Sequence, residues 1–182
     1  VNLSAGSYTV VVSASGFVGN SSTVQVLAKP TTALDVTLNA QPAVPADWFD
    51  PAWKKRAKLT LNNSASADTL TNIPILVRLN PSNFNYSAAQ PAGQDLRFVD
   101  ASNSTLAYEI EQWQPGGTST MWVRVPTIPA GATATVALYY ANPAATPGAT
   151  PAAVWSNNYV GEYHLTTSGT SAPESVAGKT GT

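Results

Sequence analysis

The sequence lacks cysteine and has a single histidine, His164, and both shortages limit its chemistry. Without cysteine there are no disulfides, no thiolate metal ligands and no thiol nucleophile. A zinc site usually needs several His or Cys ligands, and a catalytic triad needs an imidazole beside a nucleophile and a carboxylate. One histidine supports neither, so we interpret His164 as a half-buried strand residue. We expect no enzyme, with no catalytic residues and no metal ligands.

Charge is also scarce, since charged residues make up 10% of the 182 residues and the formal net charge is −1. The only basic cluster is Lys54, Lys55 and Arg56 with Lys58. The chain therefore has no strip of positive potential for a phosphate backbone, and we expect no nucleic-acid partner. No stretch approaches the roughly 20 apolar residues of a transmembrane helix, so we expect no membrane span in this chain.

The residues that are present, chiefly Ala, Thr, Ser, Asn, Pro and Val, are typical of strands and turns. Alternating apolar residues separated by turn residues predict six strands: Lys58–Leu61, Ile73–Leu79, Asp95–Val99, Leu106–Trp113, Thr120–Val125 and Thr133–Tyr140. This spacing predicts an all-β fold, an antiparallel β-sandwich or jelly roll. The alternation predicts a core that contains Tyr108, Ile110, Trp122, Val136 and Leu138.

Four segments follow from composition. Residues 1–40 contain three short predicted strands, which is too little to close a core alone. Residues 41–46 form a proline-rich linker, and residues 47–153 form the sandwich. Residues 154–182 hold one strand candidate, Tyr159–Leu165, and then a polar tail that is disordered by composition.

Residues 47–165 carry several ordered motifs: Trp48–Arg56, Ile73–Asn80, Gly93–Phe98, Tyr108–Trp113, Met121–Pro126 and Leu138–Pro143. In this order they resemble domain of unknown function 2341, a family of exported and envelope proteins of bacteria and archaea. The resemblance implies a secreted or cell-surface protein and supplies no established activity. Ala141 stands where the family usually has Gly, so we expect an altered turn there.

The flanking segments resemble other modules of surface proteins. Residues 1–40 resemble the C-terminal half of a carboxypeptidase-regulatory-like or immunoglobulin-like repeat, which implies a partial immunoglobulin-like β domain. Tyr163–Leu165 and the residues after it resemble the start of a laminin-G or concanavalin-like lectin domain; the alternative is an inter-subunit segment. Because unpaired strand edges are templates for other chains, we expect self-association or neighbouring β domains as partners.

Two carboxylates, Glu109 and Glu111, share one face of a predicted strand because side chains alternate along it. Such a pair could serve a glycosidase or bind calcium. We interpret it instead as structural and predict an ion pair between Arg97 and one of the two carboxylates.

Calcium remains an alternative at Asp95 and Asp100, although the dense Asp/Asn/Gly loop of an oxygen cage is missing. Otherwise we expect no cofactor.

Trp48, Phe49 and Trp53 precede the first sandwich strand. Exposed indole faces can stack on sugars, so these three residues are the candidate carbohydrate-binding group. The alternative is that they close one end of the sandwich. Exposure on a concave surface would favour sugar binding, and burial would favour structure.

Two functions are compatible with these patterns. The first is a non-catalytic structural or adhesive protein of the cell surface, such as a subunit of an extracellular fibre assembled through strand contacts. The second is a carbohydrate-binding module of a larger secreted protein or glycan-active enzyme.

Overall fold

A computed structural model describes residues 5–13, 18–26, 44–156, 158–164, 172–173, 175 and 180–181. The chain divides into two compact units, Val1–Ala46 and Asp47–Thr182. The strands are β1 (Gly6–Val12), β2 (Asn20–Val26), β3 (Lys55–Asn62), β4 (Leu70–Leu79), β5 (Arg97–Val99), β6 (Tyr108–Gln112), β7 (Ser119–Ile128), β8 (Thr133–Tyr140), β9 (Ala172–Pro173) and β10 (Thr180–Gly181). A 3₁₀ turn spans Tyr86–Ala88 and a short helix, α1, spans Pro151–Val154. Among these residues, no helix is long and apolar enough to cross a membrane.

The first unit contains the antiparallel hairpin of β1 and β2. Tyr8, Val10 and Val12 are half-buried on one side of β1, and Val11 on the other side is 71% exposed. Residues 27–43, which include the third predicted strand and most of the predicted linker, lie outside the described residues.

The second unit is an antiparallel sandwich, which confirms the all-β prediction. Sheet A has the strand order β3-β8-β5, and sheet B has the order β4-β7-β6. Each of the six predicted sandwich strands is present, with ends that differ by a few residues. Side chains of the two sheets meet in one core, formed by Val77, Leu79, Phe84, Leu96, Phe98, Leu106, Tyr108, Met121, Val123, Val125, Ile128, Val136, Leu138 and Tyr140.

Four of the five predicted core residues take that position. Tyr108, Val136 and Leu138 are buried, and Ile110 is half-buried against the core. The Tyr108 hydroxyl donates to the carbonyl of Leu96 at 2.8 Å, and burial raises the pKa of Tyr108 above its ordinary value of 10.0.

The prediction for Trp122 was wrong. Met121, Val123 and Val125 are the inward residues of β7, so Trp122 and Arg124 point away from the core because strand side chains alternate.

Ala141 follows β8 with φ of +66°. This left-handed conformation costs free energy in residues with a Cβ atom, and glycine adopts it without that cost. The backbone here thus keeps the form that glycine favours, although the residue is alanine.

The predicted strand at Tyr159–Leu165 does not form as one element in the described residues 158–164. Only Tyr163 there takes part in a β-bridge. Instead, Tyr159 and His164 of this segment both pack against Trp155, the residue that follows α1.

Candidate functional site

The two carboxylates of β6 lie on the outer face of sheet B, on the opposite side of the strand from Tyr108 and Ile110. β6 pairs regularly with β7 up to Ile110, and the register then shifts between Ile110 and Gln112. This bulge leaves Glu111 as the extra residue, and bulges characteristically redirect side chains. Glu109 and Glu111 both approach His164, as expected for side chains of one face.

Glu109 is 7% exposed and accepts three hydrogen bonds. The indole Nε1 of Trp155 donates to Oε2 at 2.7 Å, and the imidazole Nε2 of His164 lies 3.1 Å from the same oxygen. The hydroxyl of Ser175 donates to Oε1 at 2.6 Å. Because a carboxylate only accepts, Nε2 of His164 carries the proton in this contact. Glu109 thus joins three residues that follow the last sandwich strand.

Glu111 completes the same contact region. Its Oε2 accepts the indole N–H of Trp122 at 2.9 Å, and its Oε1 lies 3.7 Å from Nδ1 of His164. Glu162 Oε1 is 3.9 Å from the same nitrogen. The only histidine of the sequence therefore stands among three carboxylates.

The helix α1 and the residues after it cover the outer face of sheet B around Glu109 and Glu111. Pro151 occupies the first turn of α1, where its missing N–H costs nothing, and Val154 is fully buried. Trp155 is 3% exposed and packs against Trp122 at 5.2 Å between ring centroids. The Ser156 hydroxyl also accepts from Arg124. We call this covered surface the closed face.

The closed face leaves little room for acid–base chemistry. A general base must reach a proton of substrate or water through a free oxygen, and three of the roughly four acceptor positions of Glu109 are occupied. Within the described residues, every buried side-chain nitrogen and oxygen has a hydrogen-bond partner. Nor do these residues include a group of three or more His, Cys, Asp or Glu side chains placed to hold a metal ion.

The ion pair predicted between Arg97 and Glu109 or Glu111 is not formed. Arg97 lies on β5 of sheet A, whereas both carboxylates lie on β6 of sheet B. Its guanidinium donates to the carbonyls of Gln94, Leu96 and Thr146 and stacks on Trp53, 5.2 Å from the ring centroid. The alternation of side chains along a strand predicts which residues share a face. It does not predict which strands pair in one sheet, and β5 and β6 lie in different sheets.

The predicted carbohydrate-binding group occupies one end of the outer face of sheet A. Trp53 is buried, with its indole donating to the carbonyl of Asp95 at 2.6 Å. Trp48 and Phe49 are half-buried and pack against Tyr139, with ring centroids 5.2 and 5.6 Å away. These contacts favour the structural interpretation, since ring surfaces needed for stacking on sugar are covered by protein.

The two aspartates considered for calcium are engaged by the backbone. Asp95 is fully buried, and its carboxylate accepts from the main-chain N–H groups of Gln90, Ala141 and Asn142 at 2.7–3.1 Å. Asp100 accepts from the N–H groups of residues 102 and 104. Asp95 is thus a fixed point that ties a loop to the end of β8.

Sequence reasoning missed the role of His164, Trp155 and Ser175. Their partner Glu109 lies 46 to 66 residues earlier in the chain. The one local signal was the presence of the only histidine of the sequence and a tryptophan in the segment after the last sandwich strand.

One protein-family model matches part of the chain. Residues 92–164 match the family model described as "Domain of unknown function (DUF2341)". The matched range contains β5 to β8, α1 and the residues of the closed face up to His164. No curated protein and no solved structure matches the chain.

Proposed function

We propose that this chain is a non-catalytic structural or adhesive part of a secreted or cell-surface protein of a bacterium or archaeon. The match to a family of unknown function and the low charge support this placement. The proposal extends to the flanks, where residues 1–40 belong to a partial immunoglobulin-like or carboxypeptidase-regulatory-like repeat. Residues after 154 lead into a laminin-G or concanavalin-like domain.

The observation that carries the proposal is the use of Glu109. This carboxylate and its neighbour Glu111 are the best candidates for an acid–base pair in the sequence, and their oxygens are bonded to Trp155, Trp122 and His164. A buried carboxylate with three donors stabilises the contact between segments far apart in sequence. The pair thus serves cohesion rather than turnover.

Self-association is the second part of the proposal, and it is supported by unpaired edges. Among the described residues, β4 pairs only with β7, and β1 pairs only with β2. A two-stranded hairpin is marginal by itself, and edge strands accept further strands through backbone hydrogen bonds. Val11 adds an exposed apolar side chain to β1.

Sedimentation velocity of the chain tests this proposal. We expect concentration-dependent species larger than the 18.9 kDa monomer. Val11→Lys should shift the distribution toward monomer because it places a charge on the exposed side of β1. Thr118→Lys, in the exposed turn between β6 and β7, is the matched control. A monomer at every concentration would contradict self-association.

The alternative function is carbohydrate binding. A polar pocket on sheet A, described below, is the observation that favours it. A glycan array with the intact chain tests this alternative: glycan signals would support carbohydrate binding, and their absence would leave a structural role, which needs no glycan.

A further inference from the structure

A pocket of about 230 Å³ opens on the outer face of sheet A. Its shape follows from the register of three strands, in which Lys58 of β3, Ala137 of β8 and Val99 of β5 are neighbours in one row. Ala137 fills little space between the longer side chains around it. The polar residues of the wall are Asp47, Arg56, Lys58, Asp100, Asn103, Thr135 and Tyr139. We call this surface the open face.

Two residues of the pocket wall, Arg56 and Asp100, are held in place before any ligand arrives. The Arg56 guanidinium lies over Trp48, 5.0 Å from its ring centroid, and its Nη1 donates to Asp47 Oδ2 at 2.9 Å and to the Tyr139 hydroxyl at 3.3 Å. On the other side, a turn fixes Asp100, because its Oδ1 accepts two main-chain N–H groups. A site fixed in advance loses less conformational entropy on binding.

Several polar groups of this wall have no protein partner within the described residues. Among the described residues, the hydrogen bonds of the Arg56 guanidinium all use Nη1, so Nε and Nη2 keep their protons for another acceptor. Oδ2 of Asp100 accepts no hydrogen bond from the described part of the chain, and the side chains of Lys58 and Asn103 make none with it. The pocket therefore offers donors and an acceptor together, unlike the closed face.

The charges of the wall balance, because Asp47 and Asp100 stand against Arg56 and Lys58. A balanced wall gives no net attraction to an anion or a cation, whereas hydroxyl groups can both donate and accept. The volume of the pocket lies below the roughly 300–1,000 Å³ of pockets for drug-sized ligands, so the pocket can hold a ligand the size of one small ring. The ring of Tyr139 is 1% exposed and offers no stacking surface.

We propose that this pocket binds a single neutral pyranose residue of a glycan, held by hydrogen bonds from Arg56, Lys58 and Asn103 and to Asp100. The inference rests on the adhesive part of the proposed function and gives it a ligand class. Because one ring is bound without aromatic stacking, a free monosaccharide should bind with a Kd on the order of 1 mM. Repetition along a fibre would raise the avidity.

The test is NMR titration of the ¹⁵N-labelled chain with glucose, galactose, mannose and N-acetylglucosamine, and with glucuronic acid for comparison. The protein is produced without glycosylation, because Asn103 begins an Asn-x-Thr triplet. The pocket variant is Lys58→Ala with Asn103→Gly; Asn103 has φ of +60°, which glycine tolerates. The matched control is Lys55→Ala with Asn158→Gly, an exposed lysine and an exposed left-handed asparagine outside the pocket.

We expect at least one neutral sugar to shift the amide signals of Lys58, Asp100 and Asn103. The pocket variant should weaken this binding at least 10-fold, and the control should not. The inference is overturned if no neutral sugar shifts these signals, if the pocket variant binds as well as the control, or if only glucuronic acid binds. Sedimentation is a separate measurement, so absent sugar binding with intact self-association would remove this inference alone.

Discussion

The two outer faces of the sandwich differ in how far the hydrogen-bonding groups of their charged residues are occupied by other protein groups. On the closed face, Glu109 is buried and accepts hydrogen bonds from Trp155, His164 and Ser175. On the open face, Asp100 and Arg56 are fixed by the backbone and by stacking, and each keeps hydrogen-bonding capacity. The difference indicates that a carboxylate pair conspicuous in sequence can be used up in contacts within the protein, while single charges scattered along the sequence keep free hydrogen-bonding groups.

Removing the central aromatic residue of the closed face should have the largest effect on stability. Trp155→Ala should lower the free energy of unfolding by about 4 kcal/mol, since a buried indole and its hydrogen bond are lost. Trp48→Ala, at the half-buried edge of the open face, should cost about 1.5 kcal/mol. Urea denaturation measures both. Equal losses would mean that the two faces are covered to the same degree.

A second comparison uses one carboxylate from each face. Glu109→Ala should cost about 3 kcal/mol, because the buried donors of Trp155 and His164 lose their acceptor. Asp100→Ala removes only bonds within an exposed turn and should cost about 1 kcal/mol. The same urea experiment decides this, and a larger loss for the Asp100 variant would reverse the assignment of the two faces.

The smallest expected effect is a change in how stability depends on pH when Asp47 of the open face is replaced. The hydrogen bond from Arg56 lowers the pKa of Asp47 below its ordinary value of 3.8. A lowered pKa in the folded state contributes stability above the ordinary value, and this contribution is lost as pH falls through the lowered pKa. Asp47→Asn should therefore reduce stability slightly at neutral pH and flatten its decline below about pH 4. Thermal unfolding at several pH values measures this change, and an unaltered acid profile would contradict it.

Much of the fold was predictable because its signals are local. Alternation placed the six sandwich strands, and Tyr108, Val136 and Leu138 were recognised as core residues. Trp122 was not placed correctly, although its neighbours held the signal: Thr120 and Arg124 are polar, and they share its side of β7. The apolar character of tryptophan outweighed that pattern in the prediction.

The two outer faces were less predictable because they depend on contacts distant in sequence. Nothing near Glu109 indicates that Trp155, His164 and Ser175 reach it, and nothing near Arg97 indicates that its sheet differs from that of β6. The open face likewise joins Arg56 of β3 to a turn after β5. Only the assignment of strands to two sheets brings these residues together.

Hydrogen exchange of the Trp155 indole N–H tests the central claim most directly, because this proton is donated to Glu109 inside the closed face. If the face is a permanent part of the sandwich, the proton exchanges only when the whole unit unfolds. Its opening free energy then equals the free energy of unfolding from urea denaturation. Exchange at close to the rate of a free indole would show that the segment carrying Trp155 and His164 detaches readily, and would contradict the structural role of Glu109.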